Sequence, residues 1–133
     1  MQFTTVFLLL SLLSITYPVF AAEDAMCRDF LQMETDMSKK LPMKVDEITT
    51  LVEFAVNCET KIVKYVKHLS VDGSALANGF VDRKQRQYVN LHCNRVGLAT
   101  LGWTSTDYVY DRDLNLIMKL IATPESCHQR NDQ

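Results

Sequence analysis

The sequence predicts an α+β domain with elements in the order α-β-β-α-β-β, a four-stranded antiparallel sheet carrying two helices on one face. Three observations carry that expectation. Apolar residues recur at helical spacing from Met26 to Met37 and from Leu76 to Leu91. They alternate from Ile48 to Leu69 and again from Trp103 to Thr123, and the connections inside the alternating stretches are hairpin-sized.

The first helix is expected from a cap at Asp24 to about Lys40. Met26, Phe30, Met33 and Met37 fall at i, i+4, i+7 and i+11 and form one apolar stripe. Asp29, Glu34 and Asp36 precede Lys39-Lys40, the order a helix dipole favours, and Pro42 stops the helix. Methionine at this spacing is ordinarily core filler, although its flexible thioether also suits an adaptable binding groove. From Ile48 the period falls to two. Val52, Phe54, Val56 and Cys58 share one face, and Val63, Tyr65 and Leu69 share one face of the next run, with a turn at Cys58-Glu59-Thr60-Lys61. The opposite faces carry Glu53, Asn57, Lys64 and His68, so one side of the sheet is dry and the helices are expected to cover it.

Asp72-Gly73-Ser74 reads as a turn and cap for a second helix reaching about Asn94. Leu76, Phe80, Tyr88 and Leu91 point inward on it, with Arg83, Lys84 and Arg86 outward, and Asn94 or Gly97 ends it. After Gly102, residues 103–110 and 114–123 form a second hairpin around Asp111-Arg112-Asp113, where short acids suit a tight turn. Pro124 follows.

Residues 1–21 read as a cleavable export signal and residues 22–133 as a single domain. No charged side chain occurs before Glu23, and the apolar run from Val6 to Ile15 is far shorter than the roughly 20 residues of a spanning helix. Val19 and Ala21 place the cut between Ala21 and Ala22, and the absence of a cysteine at that point gives no lipid anchor. The remaining ~112 residues suit one domain. The 14 basic and 16 acidic side chains are mixed, giving net charge −2, so no field draws nucleic acid or an anionic membrane. The expected location is periplasmic or secreted.

In that setting Cys27, Cys58, Cys93 and Cys127, an even number, are read as two disulfides. Sequence permits three pairings. If the ends of the expected elements meet, Cys27 pairs with Cys58 and Cys93 with Cys127.

Leu41-Pro42, Val45-Asp46, Thr49, Cys93, Tyr108-Val109-Tyr110-Asp111 and Cys127 resemble a diffuse pattern in small uncharacterised exported bacterial proteins. The resemblance spans most of the chain after the signal and implies an envelope location. It supplies no catalytic residues, and the Cys27–Cys58 pair does not belong to it.

Chemistry-bearing constellations are sparse. His92-Cys93 and Cys127-His128 offer two thiolates and two imidazoles for zinc, but they lack the local knuckles that position metal ligands, so a disulfide flanked by histidines is the better reading. His68, His92 or His128 with a serine and an aspartate would make a triad, yet no Gly-x-Ser-x-Gly is present. No glycine-rich phosphate loop follows a strand. Asp111 and Asp113 flanking Arg112 read as turn formers rather than as paired catalytic acids. Arg83-Lys84-Gln85-Arg86 reads as a solvated helix face. No cofactor, metal site or catalytic residue is assigned.

Trp103, Tyr108, Tyr110 and Arg112 are the candidate interface, because aromatics with polar tips on an uncovered sheet face are frequent anchors. The competing reading has Trp103 plugging the sheet end. The expected function is that of a small exported protein binding another protein in the bacterial envelope or secreted space, as an inhibitor, immunity-type module or accessory subunit. The alternative is a small periplasmic hydrolase.

Overall fold

The computed structural model describes residues 20–131. The expected signal, residues 1–21, lies almost wholly outside them. The α+β class holds, but the sheet has five strands and is mixed, and the described residues contain three α-helices.

Helix α1 spans Phe20–Ser38 and begins before Asp24, because Ala21, Ala22 and Glu23 are good helix formers and continue the turn. The expected cleavage point therefore falls in its first turn. Strand β1, Met43–Lys44, is a two-residue edge strand pairing with Leu51 and Thr50. Strands β2 (Thr49–Asn57) and β3 (Ile62–Leu69) form the first hairpin, turning at the expected residues. A bulge between Leu51 and Glu53 breaks the simple alternation. It puts Leu51 and Phe54 in the core, whereas Val52 lines the open face beside Glu53.

The expected second helix is divided. Asp72 caps a 3-10 turn at Gly73–Ala75, accepting a hydrogen bond from the Ser74 N–H at 2.8 Å, and helix α2 starts only at Phe80 and runs to His92. Gly79, at φ +71°, makes the break. Along α2, Leu76's successors Phe80 and Tyr88 pack inward as expected, but Leu91 is 60% exposed and His92 is buried in its place. The inward line follows 80, 84, 88 and 92, four residues apart, with the exposed Lys84 at the rim, its ammonium over the Phe80 ring at 5.5 Å.

Strands β4 (Thr104–Tyr110) and β5 (Leu116–Ala122) form the second hairpin, and helix α3, Pro124–Asn131, follows. The strand order is β1-β2-β3-β4-β5. All neighbours are antiparallel except β3 and β4, which run parallel from Ile62↔Thr104 to His68↔Tyr110. This corrects the all-antiparallel expectation: α2 carries the chain back from the end of β3 to its beginning, and a strand entered from such a crossover runs parallel to its neighbour.

Two apolar clusters hold the helices to one face. Phe54, Val63 and Trp103 pack with Met26, Phe30 and Met37 under α1. Leu69, Tyr88, Val109, Met118, Leu120 and Ala122 pack with Phe80 and Val89 under α2. Cys27–Cys58 fastens α1 to the first hairpin turn, and Cys93–Cys127 fastens the end of α2 to α3.

Candidate functional site

Helix α1 lies over β2 and α2 over β5, leaving a seam between them above β3 and β4, whose side chains on this face are mostly buried. On that face the side chains in register are Val63, Tyr65, Lys67 and Leu69 of β3 and Ser105, Asp107 and Val109 of β4. Two hollows open along the seam. The first, of about 360 Å³, is walled by Phe30 and Met33 of α1, by Leu91 of α2 and by Val96 and Leu98 beyond it, over a floor of Phe54, Val63 and Tyr65. Met33, Leu91 and Val96 are 46, 60 and 77% exposed, so its rim is apolar and open. The second, of about 260 Å³, lies between Phe80 and Lys84 and the β1–β2 connection at Val45, Asp46 and Ile48. Its floor includes Lys67, Asp107, Val109 and Leu120.

A polar group of side chains occupies the seam. Lys67 forms an ion pair with Asp107, whose side chain is 3% exposed, and its ammonium also stands over the Tyr65 ring at 5.7 Å. Beside it, the Tyr88 hydroxyl and Ser105 Oγ lie 2.5 Å apart, and Ser105 Oγ is 3.3 Å from His92 Nε2. Burial holds the His92 pKa below the usual histidine range, with Asp107 opposing and Lys67 reinforcing the shift. Burial likewise pushes Tyr88 well above the ordinary tyrosine value, so its hydroxyl stays neutral. Ser105 is fully buried and engaged on both sides, so this serine and histidine face each other rather than a substrate.

The three histidines do not converge. His68 lies on the other face of the sheet against the Tyr110 ring, centroids 5.8 Å apart, and His128 Nδ1 donates to the Pro124 carbonyl at 3.0 Å on α3. The sulfurs of the zinc constellation are joined to each other. Among the described residues no group of three or more metal-ligating side chains is gathered, and no helix is long and apolar enough to cross a membrane.

The aromatic candidates separate. Trp103 is 4% exposed and packs edge-to-face with Phe30 at 4.8 Å, so it plugs the sheet end and presents no surface for a partner. Tyr108 and Tyr110 are half-buried on the open face, where they line a shallow hollow with Val52, Val66, His68 and Leu114. Arg112 is exposed at the β4–β5 turn and pairs with Asp72 and Asp113 at 3.7 and 3.8 Å. Asp111 organises that turn. Its Oδ1 accepts from the N–H groups of Asp113 and Asn115, and its Oδ2 from the Gly73 N–H. Lys67 and Asp107 were missed from sequence, although both fall in phase with apolar neighbours on the dry face. That pattern was their available signal.

No protein-family model matches the sequence, and no curated protein matches it. Solved structures do share the fold. A pilotin from the type 2 secretion system of Vibrio vulnificus, EpsS, aligns over 81% of this chain and 96% of its own at 14% identity, with TM-score 0.58. The type II secretion system pilotin AspS from Vibrio cholerae aligns over 81% and 98% at 12% identity, TM-score 0.55. A candidate secreted protein from Pseudomonas aeruginosa aligns over 79% and 95% at 12% identity, TM-score 0.60. At these identities the likeness is one of fold.

Proposed function

We propose that this chain is an exported accessory protein of an envelope assembly, freed of residues 1–21, which acts by binding another protein in the seam between α1 and α2. The observation that carries this reading is the open apolar hollow flanked by Met33, Leu91 and Val96. The hollow opens between the two helices with an exposed apolar rim, and exposed apolar side chains gathered in a concave site are characteristic of protein-binding surfaces. The type II secretion pilotins that share the fold support an accessory role, and the two disulfides are compatible with export.

An apolar segment of the partner, laid along the seam, would complete the helical layer. Met33 suits that task, because a flexible thioether adapts its shape to an incoming side chain. A photo-crosslinking residue at Met33 or Leu91 should couple to a defined envelope protein. The double substitution Met33→Glu with Leu91→Glu should weaken that binding about tenfold or more while leaving the fold intact, since both side chains are already exposed. Unchanged binding would remove the seam as the site. A second reading, favoured by the hollow lined by Tyr108 and Tyr110, places the partner on the open sheet face. It predicts loss of binding on Tyr108→Ala with Tyr110→Ala instead.

A further inference from the structure

The second hollow of the seam contains chemistry that apolar packing does not explain. Its walls are largely apolar, from Ile48, Leu76, Phe80 and Met118, with Asp46, Thr49 and Lys84 also lining it, and its floor includes Lys67 and Asp107. One Asp107 oxygen, Oδ2, is taken by Lys67. The other, Oδ1, is buried without a hydrogen-bond partner among the described residues. An unsatisfied buried acceptor is costly, and replacing a buried ion pair by apolar side chains is often neutral or stabilising. A solely structural pair has little reason to leave this oxygen unmet.

The two groups set demands on an occupant. At the floor, where Lys67 and Asp107 are the charged groups, a carboxylate would face Asp107, an ammonium would face Lys67, and a hydrocarbon would leave Oδ1 as it is. An amide meets both groups: its N–H donates to the carboxylate and its C=O accepts from the ammonium, of whose three N–H donors the ion pair uses one. The apolar walls then hold the aliphatic or aromatic side chain next to that amide. Tyr65, the register partner of Asp107, floors the first hollow, so a peptide lying along the seam meets both sites.

We infer that Lys67 and Asp107 form a recognition pair for an amide group of a bound peptide segment, whose adjoining apolar side chain fills the second hollow. This rests on the seam being a protein-binding site and names what the seam reads in its partner.

The test uses small probes on the whole protein, so it needs no partner. In amide-detected NMR titrations, hexanamide should cause saturable shifts at Lys67, Asp107 and Leu120. Hexanoate and hexylammonium, with the same tail and only half of the recognition, should bind about tenfold more weakly or worse. The double variant Lys67→Met with Asp107→Leu, which removes both charges together, should keep the fold and lose the preference for hexanamide. Should that variant fail to fold, the three-probe ranking on the unaltered protein still decides. Equal binding of all three probes, absence of binding by hexanamide, or a long-lived water at Asp107 that hexanamide does not displace would each overturn the pair's role. Loss of partner binding in Met33→Glu with Leu91→Glu reports on the seam separately, so failure of the pair and failure of the seam give different results.

Discussion

At the scale of single residues, His92 stands out because burial disfavours its charged form. Its pKa is lowered in the folded protein, chiefly by desolvation, so the unfolded chain, titrating near 6.5, takes up the proton first. Stability is therefore full above about pH 6.5 and declines as pH falls through the folded value. Asp111 and Asp72 act in a lower window. Hydrogen bonds, led by the Asn115 N–H for Asp111 and the Ser74 hydroxyl for Asp72, hold both below the usual carboxylate value. Their contribution is lost only as pH falls below 3.8. Urea midpoints measured across pH should show both declines, and His92→Phe should flatten the upper one alone. An unchanged upper limb in that variant would assign the decline elsewhere. Tyr88→Phe, which takes away one partner of Ser105, should cost about 1–2 kcal/mol at neutral pH. These roles were only partly legible. In the sequence His92 draws attention only through its neighbour Cys93, while its burial follows from the facing of α2, which turns Leu91 outward.

At the scale of elements, the glycines mark where periodicity alone misleads. The apolar spacing from Leu76 to Leu91 suggested one helix, but Gly79 in the left-handed region divides the segment, because backbone conformation there overrides side-chain pattern. Gly97 is constrained differently: a Cβ at that position would collide with the His92 carbonyl, which also accepts from the Ala99 N–H at 3.0 Å. Gly79→Ala should cost about 1–2 kcal/mol from its left-handed backbone, and Gly97→Ala about as much again or more, because the chain after α2 would have to move. Chemical denaturation of the two variants checks the order, and a harmless Gly97→Ala would refute the close approach. The bulge in β2 likewise escaped reading. Leu51 and Phe54, three apart, share the core across it, whereas strict alternation had placed Val52 with Phe54.

At the scale of the whole molecule, the disulfides set how the seam is held open. Each closes a loop of similar size, with sequence separations of 31 and 34, worth about 3.5–4 kcal/mol by constraint of the unfolded chain. Cys27→Ala with Cys58→Ala and Cys93→Ala with Cys127→Ala should therefore cost about the same in global stability. Their local effects should differ. Losing the first pair should raise hydrogen exchange in α1, one wall of the seam, and losing the second should do so at α3 and the end of α2. Equal exchange everywhere in both variants would contradict that division. By itself the sequence determined the α+β class, both hairpins and the expectation that four cysteines act as staples. Those features depend on local periodicity, turn chemistry and residue count. Only the tertiary structure decided the parallel pairing of β3 with β4, the burial of Trp103 and the meeting of Lys67 with Asp107 between two helices. Each depends on which segments the α2 crossover brings side by side, and a linear pattern does not encode that.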